Sequence, residues 1–201
     1  MNVKAGALIT ANLNVRLLNR RENLGAFPDL KALRDHLETL DFIPAGDTGD
    51  FGRGGPAVRL LILAALLTAG DYGTVPPENT GIIGWNGDGC AAENRRFWDD
   101  YSGSGRESGR GGLFVATLPT IPFCEAAITL GCHGPCAYLR TADSTGVLRE
   151  TLDAFPRGMY LVGETGAGSV CLLLVDSAAK TADLPDLPDL RSLFGYLEGK
   201  Q

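Results

Sequence analysis

The stretch PCAYLRTADSTGVLRETLDAF, residues 135–155, changes character twice. Cys136, Ala137, Tyr138, Leu139 and Arg140 read as a short extended run. Thr141, Ala142, Asp143, Ser144 and Gly146 belong to TADSTG, a run of small and polar residues, and VLRETLDAF then carries a helical pattern. Strand, small-residue turn, helix is the repeating unit of layered α/β proteins, and that turn is a common mount for a nucleophile. Here the residue at its tip is Asp143. An aspartate in that position accepts backbone N–H bonds and is favoured by the helix dipole. The same interactions stabilise its ionised form, which makes it a weak general base.

Working outward, GMYLVGETGAGSVCLLLVDS (158–177) reads as two strands around a glycine turn, with Gly166 and Gly168 supplying the turn and Glu164 as a turn carboxylate at the end of the first. Upstream, PAVRLLILAALLTAGDYG is a helix with Pro56 in its first turn and Gly70 at its end, apolar nearly all round and so deeply buried. NTGIIGWNGDG is a buried strand entering a turn, AAENRRFWDDY an amphipathic helix, and LPTIPFCEAAITLG a helix ending near Gly131. At the start, VKAGALIT is a strand, and Asp29 caps a helix with Leu30, Leu33, Leu37 and Leu40 on one face. His36 lies at the margin of that stripe. The glycine-rich segments AGDTGDFGRGG and Ser102–Gly112 are loops; the second lacks the Lys-Ser/Thr of a phosphate-binding P-loop. The succession predicts one α/β domain over residues 1–181, with a mostly parallel five-stranded sheet, an antiparallel edge and helices on both faces. Residues 182–201, with their repeated Pro-Asp-Leu, form a tail that packs on the domain or docks elsewhere.

Composition narrows the function classes. The chain has 201 residues, 44% of them hydrophobic, and a net charge of −6. That balance argues against nucleic acid or an anionic membrane as main partner. The longest apolar run, Leu60 to Leu67, falls far short of the ~20 residues of a membrane span. An odd number of cysteines, five, and no leader-like N-terminus point to a cytoplasmic protein with reduced thiols. Cys132, His133 and Cys136 in CHGPC lack a second ligand cluster, so no metal or other cofactor is expected. Cys132 and His133 are also sequence neighbours, whose side chains usually diverge, a poor arrangement for a Cys–His catalytic pair. Asp88, Asp99 and Asp100 read as solvated.

Taken in order, GRGGPAVRLLILAALLTAGDYG, TGIIGWNGDGCAAENRRFWDDY, LFVATLPTIPFCEAAITLGCHGP and CAYLRTADSTGVLRETLDAFPRGMYLVGE resemble the N-terminal half of the β-ketoacyl synthases. These are the condensing enzymes of fatty-acid and polyketide biosynthesis, within the thiolase-like superfamily. The resemblance spans roughly residues 50–176 and implies a single thiolase-like half-fold. It aligns Thr141-Ala142-Asp143-Ser144-Thr145-Gly146 with the family's Thr-Ala-Cys-x-x-Gly, so Asp143 stands where that family carries its nucleophilic cysteine. A carboxylate is a poor acyl acceptor. The family's further catalytic histidines and lysine belong to a C-terminal half that has no counterpart in this sequence. The resemblance thus implies a pseudoenzyme with a degenerate site around Thr141, Ala142, Asp143, Ser144, Gly146 and Glu164. It would serve as a partner, scaffold or chain-length-type subunit. The strand Cys136–Arg140 would lie at the two-fold of a homodimer, or of a heterodimer with a complete ketosynthase. Acyl-carrier protein is a possible further partner. Two other readings stay open: a module that binds acyl-carrier protein or acyl-CoA, and an acyl-transfer or hydrolytic enzyme using Cys90, Cys132 or Cys136.

Overall fold

The computed structural model describes residues 1–46, 48–49, 51–85, 90–104, 111–140, 145–166, 168–179 and 184–200. The sheet is organised around a hairpin. Strands β6 (Met159–Gly166) and β7 (Ser169–Asp176) pair antiparallel from Met159↔Asp176 to Gly166↔Ser169. Gly168 makes the turn between them at φ 75°, a conformation open to glycine at little cost. Every residue of VCLLLV in β7 is buried, because both edges and both faces of that strand are covered. On the far side of β7 lies β1 (Asn2–Ile9), again antiparallel, followed by β2 (Asn14–Leu17) and β3 (Asn23–Ala26) in a meander. On the far side of β6 lies β4 (Gly81–Trp85), and beyond it β5 (Cys136–Leu139), both parallel to β6. The order is β3-β2-β1-β7-β6-β4-β5.

The α/β class and the helices on both faces agree with the sequence reading; the sheet itself corrects it. It has seven strands instead of five, and four of its six pairings are antiparallel. The two unforeseen strands, NVRL and NLGA, are short and rich in residues of weak strand preference. Tertiary contacts hold them. The buried carboxylate of Asp71 accepts backbone N–H bonds from Gly6 at 2.9 Å, Asn19 at 3.0 Å and Arg20 at 2.9 Å, joining the end of the central helix to β1 and to the turn after β2.

One face of the sheet carries α1 (Leu30–Leu37), α2 (Pro56–Tyr72) and α5 (Ile121–Thr129). Asp29 caps α1, its side chain accepting from Ala32 N at 2.8 Å. Helix α2 is buried along almost its whole length, but it does not stop at Gly70. It runs to Tyr72 and closes on Gly73 at φ 90°, whose N–H reaches the carbonyls of Ala69 and Gly70. Gly70 stays helical, where a Cβ would lie 2.8–2.9 Å from the side chains of Ile43 and Phe42. Helix α5 is seated by Phe123 on two glycines paired in register, Gly84 and Gly163. A Cβ at either would stand 2.5 or 2.8 Å from that ring.

The other face carries α6 (Thr145–Ala154) and α7 (Leu190–Lys200), with Leu148, Leu152, Leu190, Leu193 and Phe194 packed on Ile83, Trp85, Val162 and Leu173. Apart from these layers, α3 (Ala91–Gly103) and α4 (Gly111–Val115) pack on each other, and neither buries a residue. The expected loop over Ser102–Gly112 therefore begins inside α3 and ends inside α4; residues 105–110 lie outside the described ones. No helix of the described residues is long and apolar enough to cross a membrane.

Candidate functional site

The parallel strands β4 and β5 end side by side at Trp85 and Leu139, and α6 begins at Thr145. The strand and the helix read from the sequence are thus present. Four of the turn positions between them, Thr141, Ala142, Asp143 and Ser144, lie outside the described residues.

What the structure does place is the start of α6. Gly146 N donates to a carboxylate oxygen of Asp186 at 2.6 Å. Thr145 N donates to Leu187 O at 2.8 Å, and Leu187 N to Thr145 Oγ1 at 3.0 Å. Arg149 reaches Leu184 O at 2.9 Å. The segment Leu184–Leu187 is therefore stitched across the first turn of α6. A carboxylate there is favoured by the helix dipole. A Cβ at Gly146 would meet the Asp186 carboxylate at 3.0–3.2 Å, so that side chain would have to give by a few tenths of an ångström.

Glu164 lies at the other end of the same tail. Its Oε2 accepts from Leu190 N at 2.8 Å, at the first turn of α7, and Asp189 accepts from Ser192 N at 2.6 Å beside it. Burial pushes the Glu164 carboxyl up from its ordinary range, against the downward pull of the Leu190 N–H. Gly146 and Glu164 are thus brought under one segment of chain. Cys136, Ala137, Tyr138, Leu139 and Arg140 lie elsewhere, on and after the edge strand β5, with β4 between them and β6. Cys136 and Arg140 are exposed. Among the described residues, no strand pairs with the outer side of β5.

The sequence reading did not single out Asp186. Its signal was the Pro-Asp-Leu repeat: Asp186 and Asp189, three residues apart, serve successive helices, α6 and α7.

The remaining candidates separate. Cys132 is buried and its Sγ lies 3.9 Å from Leu130 O, while His133 turns outward to Glu78, Nδ1 to Oε1 3.2 Å. The two side chains diverge, and burial pushes the Cys132 thiol up to about 11. Cys171 is likewise pushed up by complete burial. Cys90 is buried. His36 packs its ring against Phe27, centroids 5.2 Å apart. Among the described residues no cluster of three or more His, Cys, Asp or Glu side chains is placed to hold a metal ion. Asp99 and Asp100 lie on α3; Asp88 lies outside the described residues.

Trp98, Phe114, Val115 and Leu118, on or just after α3 and α4, and Ile128 on α5 are exposed, Trp98 to 57%. Phe97 links the two helices, stacking on Tyr101 and meeting Phe114 edge-on at 5.7 Å. Between these helices and the start of α2 runs a groove of about 720 Å³, lined by Arg53, Arg59, Arg96, Glu93, Leu113 and Ala116 among others.

No family model matches the chain, and no curated protein matches it. Among solved structures it is similar to a chain of the ketosynthase ApeO in complex with its chain length factor ApeC, from Xenorhabdus doucetiae. The identity is 14% and the TM-score 0.61, over 100% of this chain and 93% of that one. At that identity the likeness establishes a ketosynthase-like fold, shared end to end by two chains of nearly equal length.

Proposed function

We propose that the protein is a non-catalytic ketosynthase-like subunit of the chain-length-factor type, which pairs with a complete ketosynthase in acyl-chain biosynthesis. The observation that carries this reading is β5. It ends the sheet with an outer side that no described strand occupies, and it is the segment that resembles the family's pairing strand. A bare strand edge is a surface suited to a partner strand. The reading without turnover is supported by Asp143 standing where the resemblance aligns the family's nucleophilic cysteine. The raised thiols of Cys132, Cys136 and Cys171 weigh against a different cysteine taking over, because the thiolate is the nucleophile.

A second reading, binding of acyl-carrier protein, draws on the groove that Arg53, Arg59 and Arg96 line, since cationic side chains suit a phosphate-bearing or acidic ligand.

Co-expression with the ketosynthase encoded nearest its gene tests the first reading. A one-to-one complex by light scattering is expected, and Ala137→Pro, which disturbs the edge strand, should abolish it while circular dichroism stays unchanged. A chain that remains monomeric at micromolar concentration and retains no ketosynthase would overturn the subunit role.

A further inference from the structure

Cys124 on α5 and Cys136 at the start of β5 face each other with their sulfurs 3.5 Å apart. The other three cysteines are buried, whereas Cys136 is exposed and Cys124 half-buried. No local turn makes this pair: the residues are 12 apart in sequence and belong to a helix and a strand. Packing makes it. Phe123, next to Cys124, sits on Gly84 and Gly163 and meets the Tyr138 ring at 6.0 Å, so α5 is fixed over the sheet on the side where β5 starts. A disulfide needs its sulfurs at ~2.05 Å, so each has only about 0.7 Å to travel, within reach of modest side-chain rotation.

We propose that Cys124 and Cys136 form a redox-active dithiol that a low-molecular-weight disulfide of the glutathione class oxidises to an intrachain bond. Cys136 is the accessible partner. Its thiolate attacks the oxidant, forming a mixed disulfide and releasing one glutathione thiolate, which takes up a proton. The Cys124 thiolate then attacks the Cys136 sulfur and expels the second glutathione as a thiol. Two protein S–H bonds are lost and one S–S bond forms; the oxidant is reduced to two thiols. Burial and the neighbouring sulfur push the Cys136 thiol up to about 12, which disfavours acyl transfer by it near neutrality and likewise makes the first oxidation step slow there, gaining speed as pH rises. The bond would tie the first residue of the open strand to α5. It rests on the geometry of the chain alone and is tested on the chain without a bound ketosynthase.

The test treats the full-length native chain with glutathione disulfide and maps peptides without reduction. The expected product is a Cys124–Cys136 cross-linked peptide, lighter by two hydrogens, with no glutathione retained. Cys124→Ser should instead stop at a stable glutathione adduct on Cys136. Phenylarsine oxide, which needs two adjacent thiols, should stay on the wild type after desalting and be lost from both Cys124→Ser and Cys136→Ser. A wild type that accumulates the Cys136 adduct without the cross-link, or that releases the arsenical as readily as the single variants, would overturn the proposal.

Discussion

Replacing Asp71 by asparagine tests whether one buried carboxylate holds the N-terminal meander to the rest of the sheet. Its two oxygens accept from three backbone N–H groups, those of Gly6, Asn19 and Arg20, at 2.9–3.1 Å. Asn19 N lies 3.0 and 3.1 Å from the two oxygens, so it bridges them. An amide keeps one oxygen and turns an NH2 group toward the donors on the other side. At least one charge-assisted bond is lost, and a buried N–H then faces another donor. Bonds to a charged acceptor are worth about 1.5–3 kcal/mol each, and a stranded buried donor costs about 1–3 kcal/mol, so a loss of about 3 kcal/mol is expected. In a chain of this size that lowers Tm by about 6–12 °C. Urea unfolding gives the energy, and native-state hydrogen exchange gives the place. Gly6, Asn19 and Arg20 should lose protection before the β6–β7 hairpin does. A change below about 0.5 kcal/mol, the scatter of ordinary surface substitutions, would refute the argument. So would a loss of stability that leaves those three amides protected.

Two further outcomes follow from the site. Because burial raises the folded-state pKa of Glu164 above its ordinary value, the native state binds its proton more tightly than the unfolded chain does. The associated stability is complete below the ordinary value near 4.5 and is lost as pH rises through the raised folded value. Glu164→Gln should therefore flatten the fall in stability above pH 4.5 and gain stability at neutral pH; unfolding midpoints that follow the wild-type pH profile would contradict this. Asp143→Cys, which puts a cysteine where the resemblance aligns the ketosynthases' nucleophile, should give no condensation product from the isolated protein. A β-ketoacyl product from that variant alone would show that the chain carries the rest of the reaction.

The helices were legible because their signals are local. Asp29 caps α1, the run from Val58 to Ala69 has no polar face to expose, and Pro122 and Gly131 bracket α5. The β6–β7 hairpin was equally plain, two apolar runs about Gly168. Strand direction and partner choice were not local. Nothing in NVRL or NLGA requires a strand; Asp71, more than fifty residues away, helps place them. Gly70 looked like a helix end because a glycine there usually is one, yet its missing Cβ serves the approach of Phe42 and Ile43. At the site, Gly146 and Glu164 were chosen for their nearness to the turn, and their partners, Asp186 and Leu190, come from the tail. The sulfur pair Cys124 and Cys136 needed the helix-on-sheet geometry before it could be seen.

The two ends of the sheet are unlike. At β3, a register shift between Val15 and Arg16 and a left-handed Gly25 at φ 84° break the regular ladder. At β5, Ile82 to Trp85 pair with Cys136 to Leu139 without a slip. Irregular edges resist the addition of further strands, and regular ones invite it. A chain with one adhesive edge can recruit a single neighbour and then has no second edge to offer, so growth ends at two. With both edges regular, each added copy would present a new one, and the same attraction would run on into a fibre. If β5 recruits a partner as proposed, the irregular ladder at the far end of the sheet would hold that assembly to two chains.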